Sequence, residues 1–348
     1  MVGVAGRENI NESWTMTRPR IAVTMGDPAG IGPEICLHLL SNADIASQCI
    51  SIIFGDASLL QRVAEKTGLP FSAPIISKDE WPKRSPNLEE PAVLDLRIVD
   101  GALIQPAKVS ALAGKAGFGY VNAAIDAALA GQVAAVSTAP LNKEALRAAG
   151  IDFPGHTEIF AARTHAPRWC MMQYSDEITC TFVTVHVGYA QVPALLTTAR
   201  ILEVIELTAE GLQRIRGRAP KIVVLGLNPH AGEHGLFGDR EEERIIIPAI
   251  EAARAKGLHV EGPIPPDTAF LPWTRRKTDA FVCMYHDQGH IPVKALAFDT
   301  AVNTTLGLPV IRTSVDHGTA FDIAWKGEAN PSSLYHAVRL AVKLAGNQ

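Results

Sequence analysis

The chain has 348 residues, of which 47% are hydrophobic and 20% charged, and its formal net charge is −4. This length predicts about two domains, and the ordinary charge balance favours neither a nucleic-acid partner nor a membrane surface. No apolar run approaches the roughly 20 residues that span a bilayer, and the five scattered cysteines are typical of reduced thiols in the cytoplasm. Residues 1–17 are polar, without the apolar core of an export signal, so we expect a disordered extension there.

Strand-like and helix-like segments alternate from residue 21 onward. In the first half, apolar runs predict strands near residues 21–25, 51–56, 93–99 and 134–140. Helices are predicted to begin near Pro33 and to cover residues 57–68 and 110–131, with a Pro- and Ser-rich surface loop at residues 81–91. This alternation is typical of a three-layer α/β/α architecture.

A glycine-rich stretch, GDPAGIGPE at residues 26–34, follows the first predicted strand. Its glycines let the backbone approach a ligand closely, but their spacing is neither that of a Rossmann turn nor that of a phosphate-binding P-loop. On spacing alone, a tight strand-to-helix turn without a ligand fits equally well.

In the second half, three apolar runs at residues 181–186, 222–230 and 279–285 each lead to a histidine, namely His186, His230 and His286. Each histidine alone would more often be an ordinary hydrogen-bonded side chain. Ligands in open α/β sheets bind at the carboxyl ends of strands, and a catalytic metal commonly keeps three protein ligands with one open position. Together the three histidines therefore predict one shared metal site.

Side chains that can bind an anion occur before and after these runs in the sequence. His156 and Thr157 lie in a glycine turn that opens a helix, where they either hold an anion or merely cap the helix. Arg312 is flanked by apolar residues, and burying a guanidinium requires an anionic partner, with Lys294 and Asn303 as further contacts. The glycine-rich loop at residues 231–238 either closes over the site or is an idle surface turn.

Five motifs in this order resemble those of the PdxA family, which comprises 4-hydroxythreonine-4-phosphate dehydrogenase and its close relatives, and the resemblance covers residues 21–344. The motifs are GDPAGIGPE at 26–34, PGHTE at 154–158, NPHAGE at 228–233, YHDQG at 285–289 and IRTSVDHGT at 311–319. The resemblance implies the isocitrate/isopropylmalate dehydrogenase-like fold, with two subdomains and a cleft between them. Residues 18–140 and 300–348 would form the cofactor-side subdomain, and residues 141–299 the metal and dimer-interface subdomain.

The resemblance also implies roles for individual residues. One divalent cation (zinc, magnesium, cobalt or manganese) would be held by His186, His230 and His286, one of them supplied by the partner subunit of a homodimer. The substrate contacts would be His156, Thr157, Lys294, Asn303 and Arg312, and the acid/base or metal-orienting groups Asp267, Asp287 and Lys294. NAD or NADP would lie against Gly26, Asp27, Gly30, His317, Gly318, Asp322 and Asn330.

The implied reaction moves a hydride from C3 of a phosphorylated 3-hydroxy acid to the nicotinamide, after which the β-keto acid loses carbon dioxide. Residues 137–143, 235–239, 289–292 and 320–325 look closer to the branch that acts on 4-phospho-D-threonate or D-erythronate and yields dihydroxyacetone phosphate. The alternative is a 4-hydroxythreonine-4-phosphate dehydrogenase of vitamin B6 biosynthesis. Less favoured readings are an aromatic cis-dihydrodiol dehydrogenase and a binding protein without turnover.

Overall fold

The structure is a computed structural model that describes residues 18–346, so the expected extension at residues 1–17 lies outside the described residues. These residues contain one twelve-stranded sheet in the order β3-β4-β2-β1-β5-β12-β11-β6-β7-β10-β8-β9. The strands are β1 Arg20–Thr24, β2 Ile50–Gly55, β3 Ile75–Ser77, β4 Ala92–Asp95, β5 Ala135–Thr138, β6 Cys170–Tyr174, β7 Thr179–Phe182, β8 Ile222–Leu225, β9 Val260–Ile264, β10 Ala280–Cys283, β11 Val302–Leu306 and β12 Arg312–Ser314.

Helices connect most of the strands. They are α1 Gly32–Leu40, α2 Ala43–Gln48, α3 Ala57–Thr67, α4 Trp81–Arg84, α5 Ala111–Leu129, α6 Lys143–Ala148, α7 His156–Thr164, α8 Val192–Leu195, α9 Thr198–Arg216, α10 Ile247–Ala255, α11 Pro266–Ala269, α12 Pro272–Arg275, α13 His286–Ala297 and α14 Ser332–Gly346. No helix within residues 18–346 is both long enough and apolar enough to cross a membrane.

The sheet is parallel at both ends and antiparallel in the middle. The pairs β12–β11, β11–β6 and β6–β7 are antiparallel, whereas all other neighbours run parallel. Strands β1, β2, β5, β8 and β10 are buried almost throughout, which requires cover on both faces of the sheet and explains their unbroken apolar sequences. The predicted three-layer α/β/α architecture is therefore confirmed.

The prediction of a surface loop at residues 81–91 is wrong in part. Trp81 starts helix α4 and is buried, with its ring packed edge-on against Phe54 at 5.6 Å between centroids. Its indole Nε1 donates to Gln132 Oε1 at 2.7 Å, so this Pro-rich stretch is anchored to the core. Strands β3, β6 and β9 and helix α2 were not predicted.

The apolar periodicity of the sequence also predicts helices at residues 193–216 and 240–256, and both are interrupted. The helix expected from residue 193 divides into α8 and α9, because Thr197 has extended backbone angles and caps α9 by accepting from the Arg200 backbone N–H. The helix expected at residues 240–256 begins as a wide turn at Glu242–Ile246, ahead of α10. The division into two subdomains stays a prediction, since a single sheet runs through both halves.

Candidate active site

The three strands predicted to lead to histidines are neighbours in the sheet. Strands β7 and β8 flank β10, and all three run parallel, so their carboxyl ends meet at one edge. The strands end earlier than predicted, at Phe182, Leu225 and Cys283. His186 and His230 therefore lie in the loops beyond β7 and β8, and His286 is the first residue of α13.

Only two of the three histidines meet within one chain. The ring centroids of His186 and His286 are 5.7 Å apart. His230 lies in a segment, residues 230–234, whose φ angles are all positive, and its exposed ring contacts Glu233 and Phe237 instead. Across residues 18–346, no three His, Cys, Asp or Glu side chains assemble into a metal-binding group. The three-histidine site thus stays a prediction.

Carboxylates orient both rings of the close pair. His186 Nδ1 is 3.2 Å from Glu158 Oε1, and His286 Nδ1 is 2.7 Å from Asp287 Oδ1. The Tyr189 hydroxyl donates to Asp287 Oδ2 at 2.6 Å, and this bond, followed by that from His286, lowers the pKa of Asp287. Since Nδ1 of each ring is engaged, Nε2 is the nitrogen left for a metal. The rings line a pocket of about 190 Å³.

A second histidine on α13 supports the first, although the site residues inferred from the sequence did not include it. The His290 ring stacks on the His286 ring with 3.7 Å between centroids and 9° between planes, and Phe182 packs on it at 4.4 Å. Burial, together with the charge of His286, lowers the pKa of His290 to about 4, so this ring is neutral at pH 7. The signal was its position one helical turn after His286.

Arg312 is buried among neutral oxygens, as its apolar flanks predicted. Its Nη1 donates to Asn303 Oδ1 at 2.7 Å, to Thr305 Oγ1 at 3.1 Å and to Thr157 Oγ1 at 3.4 Å, and its Nη2 donates to Thr138 Oγ1 at 3.4 Å. Its Nε is buried without a hydrogen-bond partner among residues 18–346. Burial lowers the pKa of Arg312 to about 9, and the charge of the nearby Glu158 carboxylate raises it in part, although Arg312 forms no salt bridge within residues 18–346.

The start of α7 completes this cluster, which we call the Arg312 pocket: His156, Thr157, Asn303, Thr305 and Arg312. The His156 Nε2 atom is buried and has no hydrogen-bond partner in the described part of the chain, and burial with the charge of Arg312 lowers the pKa of this ring well below its usual range. Thr157 bonds to Thr305 and is not the cap of its helix. The pocket therefore holds a cation and two unused polar nitrogens.

Three predicted catalytic residues have different surroundings. Both oxygens of Asp287 are engaged, as described above. Lys294 lies two turns further along α13 on its exposed side, with no hydrogen bond or ion pair to the described part of the chain. Asp267 is exposed on α11, which packs against Pro229–Gly235 and thus lies on the side of His230.

The two segments predicted to hold the cofactor touch each other. A Cβ atom at Gly30 would lie 2.7 Å from the Thr319 carbonyl oxygen, and one at Gly26, whose φ is +71°, would lie 2.4 Å from that of Pro140. Only glycine fits such close approaches. Asp27 is buried: its Oδ1 accepts from the Ala29 N–H, and its Oδ2 has no hydrogen-bond partner within the described residues. Burial raises the pKa of Asp27 to about 6.

Buried side chains hold these two segments together. The Trp325 indole donates to the Pro28 carbonyl, and Glu34 accepts from the Lys326 and Gly327 backbone N–H groups. Sequence reasoning missed both roles. Gly318 is exposed beside Thr319, and His317 Nε2 is buried and forms no hydrogen bond with any of residues 18–346.

The last two predicted cofactor residues are exposed. Asp322 lies in the turn at Phe321–Ile323, and Asn330 accepts from the Ser332 N–H and hydroxyl at the start of α14. The capping contacts give Asn330 a structural role, and a cofactor role for either residue stays a prediction.

Comparison with known proteins identifies the family. The family model described as "Pyridoxal phosphate biosynthetic protein PdxA" matches residues 47–341. A 4-hydroxythreonine-4-phosphate dehydrogenase of Desulforapulum autotrophicum is 44% identical over 328 residues, which cover 94% of this chain and 96% of the relative. A D-threonate 4-phosphate dehydrogenase of Salmonella typhimurium is 44% identical over 336 residues, which cover 95% and 100%.

A solved structure gives the same result. The crystal structure of a 4-hydroxythreonine-4-phosphate dehydrogenase from Klebsiella pneumoniae is similar with a TM-score of 0.81 at 44% identity, covering 94% of this chain and 99% of that one. The architecture is the mixed α/β fold with one large central sheet that the sequence predicted. The two curated relatives carry different substrate names at equal identity, so neither substrate is favoured. In sequence and in fold, this chain belongs to the PdxA family of dehydrogenases.

Proposed function

We propose that the protein catalyses the oxidation and decarboxylation of a 4-phosphorylated 3-hydroxy acid, using NAD or NADP and a divalent metal. The observation that carries the proposal is Arg312, a buried guanidinium whose hydrogen bonds all go to neutral oxygens. A buried cation of this kind needs an anionic partner, and a phosphate monoester supplies one.

The phosphate group would bind in the Arg312 pocket. Arg312 Nε and the Thr157 hydroxyl are donors for the phosphate. The His156 ring adds its Nε2, and neither this atom nor Arg312 Nε has a hydrogen-bond partner within the described chain. Helix α7 begins at His156, so the free N–H groups of its first turn carry partial positive charge. An uncharged aromatic cis-diol would bring no anion to Arg312, which argues against that form of the dihydrodiol reading.

The residues present fit a divalent metal. His186 and His286 each have Nδ1 tied to a carboxylate, which leaves two imidazole Nε2 atoms at neighbouring strand ends. The third ligand would be His230 of a second copy, since it stands apart in the same chain. When bound, the metal acts as a Lewis acid toward the C3 oxygen.

The chain's own residues divide the remaining work. Asp287 fixes the orientation of the His286 ring, because both of its oxygens are already bonded. Lys294 is then the group on α13 that is free to hold a proton, and its Nζ would return one to C2 after carbon dioxide leaves. The segments around Gly30 and Thr319 would hold the nicotinamide dinucleotide, with Asp27 Oδ2 as an unused acceptor.

A homodimer in the cytoplasm completes the proposal. Large apolar side chains are exposed on the segment after β7, where Tyr189 at 65% lies beside the close histidine pair, on α13, with Ile291 at 67%, and just after α13, with Phe298 at 60%. An exposed apolar surface at this position is typical of a protein interface. Covering it with a second copy would enclose the site and bring a third histidine.

The test is turnover of 4-phospho-D-threonate and of 4-hydroxythreonine 4-phosphate, followed through the absorbance of the reduced nicotinamide. We expect reduction with at least one of them, loss of the signal after chelation, and recovery on adding metal. Arg312→Met should abolish it, whereas Arg339→Met, an exposed arginine on α14, should not. Turnover of an unphosphorylated cis-diol, and of neither phosphate ester, would contradict the proposal.

A further inference from the structure

A cavity of about 780 Å³ opens at the edge of the sheet opposite the close histidine pair. It lies where the chain enters β8, β9 and β10, and its walls include the residue directly before each of these strands. The three strands are parallel neighbours in the order β10-β8-β9, so their amino ends meet at one edge of the sheet. The carboxyl ends of β10 and β8, which lead to His286 and His230, meet at the other edge. The cavity is therefore separate from the proposed active site.

Basic side chains surround this cavity, which we call the basic cavity. Two acidic residues, Glu261 and Asp279, also line it, and its basic residues are Arg218, Lys221, Arg254, Arg276 and Lys277. The formal net charge of the whole chain is −4, so this concentration of positive charge is local. Because neighbouring strands lie about 4.8 Å apart, side chains at the starts of three adjacent strands span roughly 10 Å. The positive charge is thus spread along the edge of the sheet.

The Asp279 carboxylate offers the other cations little compensation, because it is already bonded. It accepts two hydrogen bonds from Arg218, at 2.8 and 2.7 Å, and one from the Lys221 backbone N–H at 2.7 Å. Its Oδ1 is also 3.2 Å from Arg216 Nη1. Within residues 18–346, no ion pair is formed by four cationic side chains of the basic cavity, namely Lys221, Arg254, Arg276 and Lys277.

Unpaired like charges around one cavity repel each other, and an anion bound between them removes that repulsion. Arg254 is partly prepared for this role, because its Nε donates to the Val260 carbonyl at 2.8 Å and so holds the guanidinium at the start of β9. Less side-chain freedom is then lost when its remaining N–H groups bind a ligand. Ala219 and Leu258 add apolar surface to the same cavity. The basic cavity thus combines several cations with room for an uncharged group.

We propose that the basic cavity is a second anion-binding site, which takes a polyphosphate group such as that of a nucleoside triphosphate. Adjoining phosphates carry negative charge along a line, as the spread of the cations requires, whereas a single phosphate or carboxylate would reach only some of them. The apolar surface would contact the nucleoside. A nucleic-acid strand fits less well, because it would extend beyond the cavity over a chain of net negative charge. Binding here does not depend on the reaction proposed above.

The test is isothermal titration calorimetry of the full-length protein with tripolyphosphate and, separately, with ATP, in phosphate-free buffer of low ionic strength. The double variant Arg276→Gln/Lys277→Gln removes two of the four unpaired cations, so its affinity for either probe should fall by roughly ten- to thirtyfold. The control is Lys83→Gln/Arg84→Gln, a neighbouring exposed pair on α4 that forms no ion pair within the described chain. It loses the same charge, and its affinity should stay within about twofold of the wild type.

Tighter binding of ATP than of tripolyphosphate would identify a nucleotide as the ligand, and equal binding a polyphosphate group alone; either result supports the site. Undiminished affinity in Arg276→Gln/Lys277→Gln would place the probe elsewhere in the protein and overturn the inference. So would the absence of binding to the wild type, or inorganic phosphate or an oligonucleotide that binds as tightly as tripolyphosphate. Because the measurement needs no turnover, failure of the proposed reaction would leave its result unaffected.

Discussion

Arg312→Met is expected to stabilise the ligand-free protein while abolishing its activity. The lowering of the Arg312 pKa to about 9 means that holding the buried charge costs about 5 kcal/mol at neutral pH. The substitution also removes four hydrogen bonds, but Thr157 and Thr305 already bond to each other at 3.2 Å, so we expect this loss to cost only about 1–3 kcal/mol. The free energy of unfolding should therefore rise by about 2–4 kcal/mol.

The assay is urea unfolding of wild type and variant in phosphate-free buffer near neutral pH, with a second series in inorganic phosphate. Below pH 9 the arginine of the folded protein is charged, so the full free-energy cost of burying that charge is present. Between the folded and unfolded pKa values the unfolded chain binds more protons, so wild-type stability should increase as the pH rises through about 9, and variant stability should not. Phosphate should stabilise the wild type alone.

The reasoning would be refuted if Arg312→Met lowered the free energy of unfolding by more than about 2 kcal/mol with an unchanged urea slope, or if phosphate stabilised both proteins equally. Arg339→Met serves again as the control, because its guanidinium is exposed and paired with Asp44 on the surface. Neither its stability nor its response to phosphate should differ from the wild type.

Further predictions concern the cofactor segments and the metal site. Because burial raises the Asp27 pKa to about 6, folding binds a proton there, and wild-type stability should fall as the pH rises from about 4 to about 6. Asp27→Asn should lack this fall in urea titrations across that window, and a parallel fall would contradict the assigned burial. Mixing inactive His230→Ala and His286→Ala chains should regain turnover, because the mixed dimer has one site with all three histidines. Mixing His186→Ala with His286→Ala should not, since each site takes both of these histidines from the same chain. Trp325→Leu should raise KM for the nicotinamide cofactor more than KM for the substrate, and an equal rise in both would argue against a role in holding the cofactor segments.

The sequence predicted the parts of the site that depend on residues close together along the chain. Apolar strands followed by His186, His230 and His286 are a local pattern, and the shared strand-end edge follows from parallel pairing. The apolar flanks of Arg312 likewise predicted its burial. These features could be read from a single chain segment at a time.

What could not be predicted depends on contacts between distant segments. Gln173 on β6 contacts His290 and Asp316, which lie 117 and 143 residues further along the chain. Trp81 is buried by packing on Phe54, a contact that overrides the Pro-rich character of its segment. The separation of His230 from the other two histidines follows from the left-handed course of residues 230–234, for which only Gly232 gave a local signal.

The middle of the sheet has a consequence for how the chain is made. Strands β11 and β12 come from residues 302–314, yet they lie between β5 and β6, which emerge from the ribosome much earlier. Until those late strands arrive, β5 and β6 present open edges that are buried and apolar in the finished protein. A chain truncated near residue 300 would therefore have two unpaired strand edges at its centre. Such chains should aggregate or depend on chaperones far more than the full-length product.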